Sequence, residues 1–203
     1  LPFRIGCVAP DLSASPYHSP GKTGLIPAEN GRFFCLICGK TKLQPSKQPT
    51  RRCPVSVELR PVTKANFGFV INLEVSQDQV NFVASNLYSI AESKVYPECI
   101  PLVIYANDTP VGFLMYAFDN KDASYWICRL MIDRYFQGKG YGREAMQQVI
   151  KEIRKRPNID FVKLSINPYN QSAEKLYSQL GFVKTGELVE GEEVMCLHFE
   201  PGS

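Results

Sequence analysis

An apolar run that breaks into glycines sets the terms for what this chain can fold into. Residues 126–133 read as a strand, Gly138, Gly140 and Gly142 follow at alternate positions, and a helical pattern starts at once. Strand, glycine turn and helix form a layout for holding phosphate. Residues without Cβ let backbone N–H groups approach an anion, and the helix N-terminus adds its dipole. A P-loop would need Gly-Lys-Ser/Thr at its end, whereas Lys139 falls between glycines with no hydroxyl residue behind it. A dinucleotide fingerprint would need glycine where Arg143 stands and an acid closing the next strand; Asp160 precedes that strand instead. The spacing present is Gln-x-x-Gly-x-Gly, from Gln137 through Gly140 to Gly142.

The flanking pattern places this turn within one sheet. Val57 and Leu59 alternate as a first strand, and apolar spacing predicts helices over Asn66–Val75 (Phe69, Val70, Leu73) and Gln79–Lys94 (Val80, Val83, Ala84, Leu87, Ile90). Leu102–Ala106, Asn107-Asp108 and Val111–Phe118 read as a hairpin, and Tyr125–Asp133 as the strand that feeds the glycines. Ala145, Met146, Val149, Ile150 and Ile153 mark a helix that Pro157 stops, and Phe161–Ile166 a buried strand. Ala173, Leu176, Tyr177 and Leu180 mark a helix ending at Gly181, and a hairpin punctuated by Gly186 and Gly191 leads to a last strand, Val194–Phe199. Mixed strands with interleaved helices define an α/β fold around one sheet.

A second motif lies 28 positions beyond Gly142: Asn170-x-x-Ala173-x-x-Leu176-Tyr177-x-x-x-Gly181-Phe182. The pair of motifs resembles the GNAT superfamily of acyl-CoA-dependent N-acyltransferases, and the strand order carries the likeness over residues 55–199. The body is most similar to bacterial spermine/spermidine acetyltransferases, through Gly112–Tyr116, Tyr125–Ile127, Met131–Asp133, Tyr135–Gly140 and the Gly186–Glu192 hairpin. The resemblance implies a mixed, mostly antiparallel sheet flanked by helices and acetyl-CoA as cosubstrate. It implies that the backbone of Leu130, Met131 and Ile132 pairs with the pantetheine arm. Gln137, Gly138, Lys139, Gly140, Tyr141, Gly142 and Arg143 then hold the pyrophosphate, and Asn170 meets the cofactor where two strands part. Tyr177 then acts as general acid toward the departing thiolate; taken alone, on an apolar stripe, it reads as a core aromatic.

One departure concerns the proton on the attacking amine. Many polyamine acetyltransferases carry an acid nine residues before the first loop residue, and that position is Cys128 here. An ordered water or a carboxylate elsewhere must take the proton; candidates are Glu74, Asp78, Glu92, Glu98, Asp119 and Asp122. Glu74, Asp78, Glu92 and Cys128 are the candidate acceptor-binding residues.

Charge and cysteine usage bound the setting. The 203 residues carry a net charge of +3, but residues 1–54 hold eight Lys/Arg against Asp11 and Glu29. The body is therefore mildly acidic, which argues against a nucleic-acid partner and suits a small cationic amine. No apolar run is long enough for a membrane span. Seven cysteines without regular pairing fit a reducing cytoplasm. Residues 1–54 read as an irregular or disordered leader, open to being non-native sequence ahead of a start near Val55; residues 55–203 form the acetyltransferase domain, with Pro201-Gly202-Ser203 as an added tail. Cys35 and Cys38 have the spacing of half a zinc knuckle, to be completed by Cys53 and either Cys7 or His18 in a rival reading as a zinc-bearing interaction module; a second pair at knuckle spacing is absent, and no metal is expected. The expected reaction is acetyl transfer to a primary amine, spermine or spermidine first, by direct attack in a ternary complex. Rival readings are another amine (an aminoglycoside, an amino acid or a protein N-terminus) or a non-catalytic acetyl-CoA sensor. Homodimerisation, common in the family, is left undecided.

Overall fold

The computed structural model describes residues 56–200. The expectations for the leader, a start at Val55, Cys35 and Cys38, and the last three residues lie outside them. Seven strands form one sheet: β1 (Glu58–Pro61), β2 (Cys99–Ala106), β3 (Thr109–Asp119), β4 (Ser124–Ile132), β5 (Phe161–Ile166), β6 (Val183–Val189) and β7 (Glu192–His198). Their order is β1-β2-β3-β4-β5-β7-β6, and every neighbouring pair is antiparallel except β4 and β5. Four helices, α1 (Phe67–Val70), α2 (Asn86–Val95), α3 (Tyr141–Arg154) and α4 (Gln171–Gln179), cover the two faces. The expected mixed, mostly antiparallel sheet with flanking helices is present.

Turn chemistry fixes the hairpins. Asn107 and Asp108 between β2 and β3, and Glu190 and Gly191 between β6 and β7, all have positive φ. Two-residue turns of that hand match the twist of the strands they join. Pro101 is tolerated within β2 because β1 pairs only as far as Leu102, so its missing N–H lies beyond the neighbouring strand.

Two cores lie on opposite faces of the sheet. Ile127, Met146, Val149, Val162, Leu164, Ile166, Tyr177 and Met195 pack together on the α3–α4 face. Val70, Ile90, Val103, Phe113, Trp126, Cys128, Met131 and Val194 pack on the α1–α2 face. A bulge in β4 interrupts the alternation: Arg129 pairs with Met115 and Ile127 with Tyr116, which leaves Cys128 as the extra residue. Beside Cys128 on the α1–α2 face, Arg129 reaches Glu92 of α2.

The first two helices differ from their sequence reading. The Asn66–Val75 pattern yields only the four-residue α1, because the backbone N–H of Glu74 is drawn 3.0 Å from Asp133 Oδ2 at the end of β4. The Gln79–Lys94 pattern splits into a 3-10 turn, Gln77–Gln79, and α2. Ser85 starts α2 by accepting a hydrogen bond from the Tyr88 N–H at 3.2 Å. Phe69 and Leu87, read as facing a core, are 66% and 53% exposed.

Gly112 marks the tightest approach within the sheet. A Cβ there would stand 2.4 Å from the Met131 carbonyl oxygen and 2.7 Å from Ile132 Cδ1. Replacing Gly112 with alanine is expected to destabilise the fold by about 1–3 kcal/mol, the usual cost of overpacking. Urea unfolding checks this as a lower midpoint at unchanged slope.

Candidate active site

The site forms because β4 and β5 pair only briefly. Tyr125, Trp126 and Ile127 align with Val162, Lys163 and Leu164, and the ladder between the two strands stops there. β4 runs on to Ile132 and β5 to Ile166, so the two diverge. The cleft of about 380 Å³ that opens is lined by Cys128, Arg129, Leu130, Met131 and Ile132 from β4, Ser165 from β5, the glycine loop, and Asn170, Leu176 and Tyr177 around α4. Past Ile127, β4 offers β5 no ladder, leaving its backbone groups on that side for a ligand to meet.

The loop after β4 is held at both ends. Asp133 is 6% exposed, and its carboxylate accepts from the Glu74 N–H and the Tyr135 N–H, both at 3.0 Å. Gln137 Nε2 donates to the Ile132 carbonyl at 2.9 Å and to Gln79 Oε1 at 2.8 Å. Between these anchors Gly138 and Gly140 take φ of +74° and +88°, a region that L side chains rarely enter. Gly140 is the N-cap of α3 and supplies no side-chain cap, so the first N–H groups of this 14-residue helix are left to an anion. A Cβ on Gly142 would meet Ile132 Cγ1 at 3.5 Å and Leu176 Cδ2 at 3.8 Å, both in the cleft lining, so glycine there keeps the start of α3 bare on its cleft side. These features fit a pyrophosphate.

The other sequence-predicted residues divide by position. Tyr141, Arg143, Asn170 and Tyr177 join the cleft lining; Lys139 is exposed, with Nζ 5.1 Å from the Phe136 ring centroid. Arg143 donates to Gln179 of α4. Asn170 Oδ1 accepts from the Ala173 N–H at 3.1 Å and so caps α4, a structural duty at the cleft's edge. Tyr177 is 8% exposed, on the α3–α4 face against Phe182.

Of the acceptor-side candidates, only Cys128 lines the cleft. Its thiol lies 3.6 Å from the Trp126 carbonyl, and its hydrogen bond with Cys99 holds the Cys99 thiol below its usual range. Glu92 lies behind the lining, with Oε2 3.2 Å from Arg129 Nη2; burial pushes its carboxyl up and Arg129 opposes that. Glu74 is exposed and pairs with Arg134 at 3.1 Å, and Asp78 is exposed on the 3-10 turn. Asp119 and Asp122 sit at the β3–β4 turn, where Asp122 holds Lys163 at 2.7 Å. Glu98 lies just before β2 and outside the lining.

Sequence reasoning missed Asp133, Gln79, Arg129, Ser165 and Glu192. Asp133 had a local signal, an acid closing an apolar strand where its side chain can catch the turn's N–H groups. Ser165 and Glu192 are 27 positions apart and are joined only through sheet pairing.

Residues 68–182 match the model of the acetyltransferase (GNAT) family. The chain belongs to that family of acetyl-CoA-dependent N-acetyltransferases. It is 32% identical over 148 residues, 70% of this chain and 97% of the relative, to a spermine/spermidine N(1)-acetyltransferase of Bacillus subtilis. A probable spermine N(1)-acetyltransferase of Bacillus subtilis subsp. natto matches at the same identity and coverage. Among solved structures, spermidine N-acetyltransferase from Vibrio cholerae in complex with CoA and spermine superposes with a TM-score of 0.57 at 19% identity, covering 70% of this chain and 94% of that one. Aminoglycoside acetyltransferase AAC(6')-Ib in complex with coenzyme A gives 0.60 at 16% identity, covering 70% and 95%. At these identities the structures speak for the fold alone.

Two outcomes test this geometry. Gly142→Glu is expected to weaken acetyl-CoA binding about tenfold or more, ~1.4 kcal/mol, by placing a bulky anion beside the helix N-terminus. Calorimetric titration reads it, with a nearly unchanged unfolding midpoint. Glu92→Ala is expected to cost about 3–5 kcal/mol of stability, because it leaves the guanidinium of Arg129 buried and uncompensated; denaturant titration measures that.

Proposed function

We propose that this N-acetyltransferase transfers acetyl from acetyl-CoA to a primary amine of spermine or spermidine, by direct attack in a ternary complex. The observation that carries the reaction is the parting of β4 from β5, which sets bare strand backbone opposite Tyr177 across one cleft. The substrate class draws support from the two Bacillus relatives, matched over nearly their whole length. When bound, acetyl-CoA supplies an activated acyl carbon and a sulfur leaving group.

The chain's own residues have distinct tasks in this reading. The N-terminus of α3, with Gln137, Gly138, Gly140 and Gly142, holds the pyrophosphate; Lys139, Tyr141 and Arg143 flank it. The backbone of Leu130, Met131 and Ile132 extends the sheet toward the pantetheine arm, and an N–H of this run faces the carbonyl whose charge grows during transfer. Asn170 holds the start of α4, which presents Tyr177. The Tyr177 hydroxyl gives its proton to the sulfur. Cys128 and the buried Arg129–Glu92 pair shape the acceptor side, and Glu74 and Asp78 add negative charge on the exposed segment before α2.

We place the protein in a reducing cytoplasm, where the buried Cys99, Cys128 and Cys196 stay reduced. Among the described residues no helix is long and apolar enough to cross a membrane.

A CoA-release assay against spermine, spermidine, putrescine, an aminoglycoside, an amino acid and a short peptide tests the reading. Preference for spermine or spermidine is expected; preference for any other amine overturns the substrate class and leaves the acetyltransferase standing. Tyr177→Phe is expected to lower kcat by about 10²-fold or more with acetyl-CoA affinity unchanged, and unaltered turnover removes the acid role.

A further inference from the structure

Whatever takes the proton from the acceptor amine must be reachable from the cleft, yet among the described residues no carboxylate lines it. Two carboxyl groups stand one hydrogen bond behind the lining. Glu92 lies behind Arg129, and Glu192 of β7 lies behind Ser165 of β5, whose hydroxyl donates to Oε2 at 2.6 Å. Arg129 cannot pass a proton inward, because a guanidinium stays protonated and accepts nothing. A serine hydroxyl can, since it donates one proton while its oxygen lone pairs accept another.

The position of Ser165 agrees with that task. Leu164 and Ile127 form the last pair before β4 and β5 part, so Cys128 and Ser165 are the first residues past the fork. Leu164 and Ile166 belong to the α3–α4 core, which turns Ser165 to the opposite face, the one bearing Cys128, Trp126 and Met131. Glu192 is on that face too, two positions before Val194, the residue paired with Ser165. Tyr177 approaches the fork from the α3–α4 side. The group that protonates sulfur and the group that deprotonates nitrogen therefore have separate faces of the sheet. Glu192 is only 2% exposed, a costly place for a carboxylate that served packing alone.

We propose that Ser165 and Glu192 form the relay that deprotonates the acceptor amine: Ser165 Oγ takes a proton from the nitrogen while passing its own to Glu192. The relay rests on the acetyltransferase reading above. The nitrogen lone pair so freed forms the N–C bond, and the C–S bond breaks with its electron pair leaving on sulfur. Of the two protons the ammonium loses overall, one goes through Ser165 to Glu192 and then to water. The other leaves the nitrogen for water once the N–C bond has formed, and the Tyr177 phenolate left after protonating sulfur regains a proton from water, so one proton is released overall.

The experiment compares wild type, Glu192→Gln and Ser165→Ala on primary amines of graded basicity at neutral pH, with CoA affinity measured for each. Glutamine still accepts the Ser165 hydrogen bond but takes no proton. Both variants are expected to bind CoA as wild type does and to lose about 10²-fold or more in kcat on strongly basic amines. The loss should shrink toward none on weakly basic amines that are already unprotonated in solution, a trend that a packing defect would not produce. Wild-type kcat in Glu192→Gln, or an equal loss across all amines in both variants, overturns the relay alone. A wild-type protein that binds CoA and acetylates no amine overturns the relay and the acetyltransferase reading together.

Discussion

Two parallel strands that pair for three residues and then part are the constraint on which this structure depends. A sheet stays closed as long as each strand's N–H and C=O groups find partners on the next one. Here the ladder between β4 and β5 ends at Ile127 and Leu164, and the backbone from Cys128 to Ile132 is left facing a cleft. The bulge at Cys128 adds a second consequence. It brings Arg129 to the α1–α2 face, where the guanidinium meets Glu92 and also donates to the Cys128 carbonyl at 2.8 Å. That buried ion pair ties the bulge to α2, so the cleft wall at Arg129 is set by electrostatics as well as packing.

The glycine loop depends on the same strand. Just past β4 stands Asp133, whose carboxylate gathers the N–H groups of Glu74 and Tyr135. Gln137 repeats the device one turn later by reaching the Ile132 carbonyl and Gln79. With these anchors made, the positive φ at Gly138 and Gly140 follows from geometry. The uncapped start of α3 is then fixed in space rather than carried on a free loop.

What was legible in the sequence was what is local. The strand Phe161–Ile166, the stop at Gly181 with φ of +94°, and the Asn107-Asp108 turn each follow from a few adjacent residues, and each is found as read. The segment 66–94 was misread because apolar spacing says which side chains want burial, not where a backbone N–H is drawn. The bond from Glu74 to Asp133 spans 59 positions and ends a helix that the pattern would have continued. Glu92 was named from the sequence as an acceptor-binding candidate, but its partner Arg129 is set by the bulge, which no spacing announces. Ser165 and Glu192 look like ordinary strand residues until β5 and β7 lie side by side. The ion pairs and buried carboxyl groups around this cleft are thus set mostly by long-range contacts, while the loop proposed to hold the pyrophosphate is six consecutive residues.

The division of the interior into two cores has a further meaning. Tyr177 is embedded in one and Glu192 lies on the side of the other, with a layer of hydrogen-bonded backbone between them. That layer acts as a septum pierced at one point, the fork of β4 and β5. In the proposed reaction Tyr177 and Glu192 therefore act from opposite sides of the sheet, and the fork is where the two sides meet.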